Sequence, residues 1–256
     1  RLGLNEPIHV QYFLWLGDIV QGEFGRSIRS NRPVLSEIGA RLPATIELAL
    51  LATAVSVLLG VPLGVISATR KNSVVDHGVT VAAFGGLAMP VFWQALMMTL
   101  IFSLWLGWFP SSGRFDHWSY YVLPTLTLGT SAIAAITRMT RSTMLETLSQ
   151  DYVRTARSKG AAERSITYRH ALRNAMIPVV TVTGLQFGGL LSGAVITETI
   201  FAWPGIGKLA VDAIRAQDFP VVQGVVLVFA LTYALVNLLV DVMYAYLDPR
   251  LKTLYS

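Results

Sequence analysis

Residues 151–174 read DYVRTARSKGAAERSITYRHALRN, a basic and polar stretch set between two apolar ones. Its six Lys and Arg residues do not belong in hydrocarbon, where a central Lys or Arg costs about 2.5 to 3.5 kcal/mol. The stretch must stand in water close to a bilayer surface, and its flanks are the first candidates for crossing that bilayer.

The rest of the chain agrees. Of 256 residues, 53% are hydrophobic and 14% charged, with a mean hydropathy of +0.54; a soluble domain carries about 25% charged residues. A hydrocarbon core of about 30 Å needs about 20 apolar residues. Five segments meet that length: 45–66 with Glu47 its one charge, 79–107 with none, 119–137, 175–197, and 219–240 continuing past Asp241 to Leu247. The fold class read from this is all-α, a polytopic membrane helical bundle.

Lys and Arg collect on the cytoplasmic side of a membrane protein. One side holds Arg70, Lys71, the loop 138–174, Arg250 and Lys252, together 12 of the 20 basic residues. That side is the cytoplasm, so 1–44 and 201–218 are external and the two chain ends lie on opposite sides. The organisation expected is an external segment over 1–44 and a transmembrane domain over 45–256 that contains the cytoplasmic loop. Opening on Arg1 implies residues before it. The net charge of +5 is explained by topology, and no nucleic-acid partner is needed.

Within 1–44, Ile8, Tyr12, Leu16 and Ile19 or Val20 fall at helical spacing, which predicts an amphipathic helix on the membrane or capping the bundle. GEFGRSIRSNRPV, residues 22–34, reads as a turn region. A straight helix over 79–107 would be roughly 44 Å long, so Gly85, Gly86 and Pro90 are expected to break it. Trp105, Trp108, Phe109, Trp118, Tyr120 and Tyr121 form an interfacial aromatic belt. In the fourth span Gly184 and Gly188, and Gly189 and Gly193, lie four apart, with Ser192 four from Gly188. That spacing allows close helix approach, within this chain or against another subunit.

Catalytic chemistry has little support. His9, His77, His117 and His170 show no metal-ligand spacing, and with no Cys there are no disulfides or thiolate sites. GGLLSGAV lacks the first Gly of a G-x-S-G motif, since Leu190 stands there. FAWPGIGKLA, residues 201–210, has the Gly207-Lys208 pair of a phosphate loop, but Ala202 and Leu209 occupy the places of its first Gly and its Ser or Thr. Acids lie only near span ends, so no ion relay crosses the middle. The amides Gln94, Gln186 and Asn237 either line a polar passage or bond between helices.

The cytoplasmic stretch predicts a short helix with Asp151 as N-cap, running over Tyr152 to Lys159 and stopped by a left-handed Gly160. A second helix follows from about Ala162 to Asn174 and leads into the fourth span. Such an ordered cationic surface suits a protein partner.

YVRTARSKG followed by RHALRNAMIPVV resembles the coupling loop of permease subunits of bacterial ABC importers, in the dipeptide, oligopeptide and nickel family. RLPATIELALLA, LPTLTLG, ETIFAWPGIGKL and NLLVDVMYAYLDPR extend the resemblance over nearly the whole chain. Against the general importer motif, E-A-A-x-x-x-G-x9-I-x-L-P, only Ala156, Gly160 and Leu172 match, and the peptide-type variant with Arg and Lys is the nearer pattern.

The resemblance implies a type I importer permease in the bacterial inner membrane, with a sixth span before residue 1. It implies a second, homologous permease, two cytoplasmic ATPases that hold ATP and Mg, and an extracytoplasmic binding protein. Tyr152, Arg154, Thr155, Ala156, Arg157, Lys159, Gly160 and Leu172 would then be the ATPase-coupling residues. The cargo stays open among dipeptides, longer peptides, glutathione-like compounds, nickel chelates and opines. The alternative class is an ion-gradient-driven carrier, disfavoured by the lack of a charge pair at mid-membrane.

The topology is testable because the chain has no native Cys. On intact cells an impermeant thiol reagent should label a single Cys placed in the 201–218 segment and reach Ser158→Cys only after permeabilisation. The reverse pattern overturns the orientation.

Overall fold

The computed structural model describes residues 7–247, apart from the side chains of Ser192, Gly193, Asp241 and residues 243–247. Arg1, Arg250 and Lys252, and the side chains of Ser192, Gly193 and Asp241, all named above, lie outside the described residues.

In chain order the helices are α1 (Ile8–Val20), α2 (Val34–Thr69), α3 (Val74–Ala88), α4 (Val91–Met98), α5 (Ser119–Leu148), α6 (Asp151–Ser158), the single turn α7 (Glu163–Ser165), α8 (Arg173–Ile200), α9 (Ile206–Arg215) and α10 (Phe219–Leu247). Two π-helical stretches, Thr99–Trp105 and Ile166–Leu172, continue α4 and join α7 to α8. Among the described residues four helical stretches are long and apolar enough to cross a membrane, and the bent pair α3 and α4 adds a fifth if the two together make one span.

The first span begins at Val34 rather than at 45. Pro33 precedes the helix, Glu37 and Arg41 pair one turn apart along it, and Pro43 lies inside it without breaking it. Packing against neighbouring helices tolerates such a proline in a spanning helix. Likewise α5 continues past 137 to Leu148, so part of the predicted cytoplasmic loop is helix continuous with the third span.

The expected break in the second span is present. Met89 and Pro90 separate α3 from α4, and the two axes are bent by 108°. The carbonyls freed there are satisfied by buried Gln94, whose Nε2 donates to Gly86 O at 2.7 Å and Met89 O at 3.0 Å. Trp105, Trp108 and Trp118 beyond it are largely exposed, as a belt requires.

α2 and α5 form the central pair, α8 lies across both, and α10 packs on α8 and α9. Small residues set the distance between the central helices. A Cβ at Gly60 would lie 2.8 Å from Ile136, and one at Gly64 would lie 2.5 Å from Thr140 and 2.7 Å from the Thr137 carbonyl. Ser56 joins the same seam, donating to Ala52 O at 2.6 Å and Gly129 O at 3.1 Å. The fourth-span glycines divide between two faces. Gly184 meets Val240, and Gly188 meets Asn237 and Tyr233, all on α10, whereas Gly189 faces open space.

α1 is the helix expected near the N-terminus, and it buries none of its residues. The turn region after it is anchored elsewhere. Asp218, just before α10, accepts from Ser27 Oγ at 2.5 Å and from the amides of Ile28 at 3.1 Å and Arg29 at 3.4 Å. Burial pushes its carboxyl upward, but these hydrogen bonds outweigh burial and leave it below the ordinary value.

The seam makes a direct prediction. Gly64→Ala should lower the thermal midpoint of the detergent-solubilised protein, by the equivalent of about 1 to 3 kcal/mol for an overpacked site, while Gly189→Ala should not lower it. Equal tolerance at both positions would show that α2 and α5 do not meet at Gly64.

Candidate functional site

Helix α6 has one buried residue, Val153, and turns Arg154, Thr155, Ser158 and Lys159 to solvent. Its N-cap is Gln150, not Asp151, which is the first helical residue. Asp151 there still opposes the positive helix end, so the charge acts through the dipole rather than through a capping bond. Gly160 has φ +80° and stops the helix as expected. The Ala161 amide donates to Ala156 O at 3.2 Å and the Gly160 amide to Arg157 O at 3.0 Å, the paired closure of a Schellman motif.

After Gly160 the chain reverses, and α7, the π stretch and α8 run on without a gap from Ala162, which caps α7, to Ile200. Arg157 closes the reversal, with Nε 2.6 Å and a terminal nitrogen 3.1 Å from the two oxygens of Glu163. Arg157 is therefore spent within the loop, and the outward charge rests on Arg154 and Lys159. Arg154 makes only a loose pair with Asp151 at 3.7 Å, both side chains being largely exposed. Leu172 packs with Val65, Ala68, Met144, Ala171 and Ala175, which seats the loop on the inner ends of α2 and α5.

Two further polar sites hold the bundle, one at each end, and neither was anticipated as a site. At the inner end Asp76 is 1% exposed and accepts from Arg141 at 2.7 and 2.8 Å, from Ser67 Oγ at 2.5 Å and from the Asn72 amide at 2.9 Å. It joins α2, α3 and α5. At the outer end Glu198 is fully buried and accepts from Thr45 Oγ1 at 2.6 Å and the Lys208 amide at 3.0 Å. Thr45 Oγ1 in turn accepts the Ile206 amide at 2.9 Å, so the pair caps the N-terminus of α9. A Cβ at Gly205 would lie 2.2 Å from Glu198 Oε1, and one at Gly207 2.9 Å from Oε2. The P-G-I-G run of the false phosphate loop is thus bare backbone wrapped around a carboxylate.

Beside Glu198, the buried Trp203 donates from Nε1 to Ala44 O at 2.9 Å and meets the Tyr121 ring edge-on, with centroids 5.0 Å apart. Arg114 lies 5.6 Å from the Trp203 ring centroid and is bonded to Glu47 at 2.6 and 3.1 Å. A signal for this knot exists in the sequence: an acid at a span end followed by two glycines where a helix must start.

The three amides fall in different places. Gln94 is committed to the helix break, while Gln186 and Asn237 are half-buried on α8 and α10. Among the described residues, neither Gln186 nor Asn237 makes a side-chain hydrogen bond. Among the described residues, no group of three or more His, Asp or Glu is placed to hold a metal ion.

Comparison with known proteins identifies the arrangement. Residues 60–253 match the family model for the binding-protein-dependent transport system inner membrane component. The chain is 45% identical to a dipeptide transport system permease protein of Alkalihalophilus pseudofirmus, over 98% of this chain and 84% of that one. It is 44% identical to an oligopeptide transport system permease protein of Bacillus subtilis, covering 98% and 83%. To a glutathione transport system permease protein of Salmonella typhimurium it is 43% identical, covering 98% and 82%.

The fold matches a chain of the MetNI methionine ABC transporter in an inward-facing conformation with a TM-score of 0.71 at 16% identity, over 84% of this chain and 97% of that one. A chain of an amino acid ABC transporter gives 0.63 at 14% identity, covering 83% and 94%. None of these matches supports the ion-driven carrier. With four apolar spans among the described residues, a bent helix pair that can serve as a fifth, and relatives of one kind along its length, the chain belongs to the inner-membrane components of binding-protein-dependent transport systems and is a permease subunit of an ABC importer.

Proposed function

We propose that this permease carries short peptides or a related small solute into the cell, as half of a passage completed by a second, homologous permease. Two cytoplasmic ATPases holding ATP and Mg drive it, and a binding protein outside delivers the cargo; the chain itself catalyses no reaction. The setting is a bacterial inner membrane. Support for the cargo class comes from relatives named for dipeptide, oligopeptide and glutathione transport, all short peptides.

The observation that carries the mechanism is that α6, after its stop at Gly160, is tied back by the Arg157 pair with Glu163 to the unbroken run of α7, the π stretch and α8. The outward residues Arg154, Thr155, Lys159 and the Gly160 stop form the contact for the ATPase, with Tyr152, Ala156, Arg157 and Leu172 fastening that contact to the bundle. When ATP closes the ATPase pair, α6 is displaced, and α8 carries the displacement across the membrane. Access then alternates between the outer and inner mouths. Gln186 and Asn237 line the passage, and Gln94 holds the bend beside it. Neutral amides suit a peptide cargo, since they offer both donors and acceptors to peptide groups without selecting side-chain charge.

The test is at Gly160, where open space around the α-carbon leaves backbone strain as the one cost of a side chain. Val in the left-handed region is an outlier, whereas Asn tolerates it. In the reconstituted complex Gly160→Val should lower both peptide uptake and substrate-stimulated ATP hydrolysis about tenfold, in line with roughly 1 to 3 kcal/mol of strain. Gly160→Asn should retain most of both activities. Wild-type values for Gly160→Val would reduce the segment to a topological anchor.

A further inference from the structure

Beyond the reversal at Gly160, the stretch that joins α7 to α8 is π-helical over Ile166–Leu172. A π turn inserts one residue into an α-helix and opens its hydrogen-bond ladder, and such turns collect at functional sites. One residue of register corresponds to about 100° of rotation around the helix axis. Gaining or losing the insertion would therefore turn α8 relative to α7 and to α6, which Arg157 ties to α7 through Glu163.

A closed set of three polar groups holds this joint to α6. Tyr152 donates from its hydroxyl to His170 O at 3.4 Å, and Asn174 Nδ2 donates both to the Tyr152 hydroxyl at 2.7 Å and to His170 O at 3.2 Å. His170 lies within the π stretch, and Asn174 is the second residue of α8. Tyr152 stands in the first turn of α6, next to Val153, which is fully buried. Val153 thereby seats one face of α6 in the bundle, while the neighbouring Tyr152 hydroxyl reaches the His170 carbonyl.

We propose that Tyr152 is a positioning residue whose hydroxyl, held by Asn174, pins the His170 carbonyl and fixes the π register through which movement of α6 reaches α8. The ring fills space on α6, and the oxygen alone makes the linkage. Without it α6 moves and α8 follows incompletely, so ATP is spent without transport. This rests on α6 being the ATPase contact.

The measurement uses the intact complex in vesicles with radiolabelled dialanine supplied through the binding protein. Tyr152→Phe keeps the ring and removes the linkage. It should raise both the amide hydrogen exchange of residues 166–174 and the ATP consumed per dialanine imported by about two- to tenfold, the range expected for one lost hydrogen bond. Asn174→Ala should do the same, and the double variant should add little to either single one, since both act on one joint. A structural role alone would reduce the yield of complex and leave the ATP-to-dialanine ratio where it was. Exchange or stoichiometry at the wild-type value in Tyr152→Phe overturns the proposal while leaving the coupling reading intact. If the ATPases do not copurify with the unaltered chain, the coupling reading itself falls, and the linkage with it.

Discussion

Hydrocarbon offers no water to a stray polar group, and the Glu198 carboxylate is where this protein meets that constraint most severely. Fully buried at the outer end of α8, it is satisfied by Thr45 of α2 and by backbone at the start of α9. Leaving such a carboxylate unpaired would cost several kcal/mol. The outer ends of two spans and the helix between them are therefore fixed together. Asp76 and Arg141 impose the same condition at the inner end, joining α2, α3 and α5. Between the two knots Ser56 donates across the seam to Gly129 O, and Gly60, Gly64 and Gly129 let α2 and α5 approach backbone to backbone.

A bundle pinned at both ends has few ways to move, and α6 stands outside both knots. This helix is seated by Val153 and Leu172, closed by the Arg157 pair with Glu163, and stopped by Gly160. It touches water on its remaining sides, and beyond the reversal at Gly160 the chain runs through a π turn into α8. Force applied there passes along a spanning helix that ends at Glu198. The handle, the span and the outer knot thus lie on one continuous piece of chain, which is the arrangement a subunit driven from the cytoplasm requires.

Much of this was legible in the sequence because the bilayer simplifies the reading. Length and apolarity marked the spans, Pro90 marked the break, and Gly160 marked the helix stop. What the sequence did not show depends on distant pairing. Gln94 read equally as a passage residue or a bond between helices, and it bonds across the break of its own span, to the carbonyls of Gly86 and Met89. Arg157 looked like free charge and is held by Glu163. The central seam escaped notice because Ser56, Gly60 and Gly64 sit in an otherwise ordinary apolar run, and their meaning appears only once α5 is laid against them. Glu198 was read simply as an acid near a span end, since Gly205 and Gly207 gain their meaning only once the start of α9 is laid against it.

The central claim is that the outward face of α6 is gripped by the ATPase. Site-specific photocrosslinking tests it most directly, with a photoreactive amino acid placed at Arg154 and, separately, at Asp18 of the external helix. The account predicts that the probe at Arg154 captures an ATPase subunit and that the yield changes when ATP is added, while the probe at Asp18 captures none. Capture of ATPase from Asp18, or none from Arg154 in a complex that hydrolyses ATP, would contradict it.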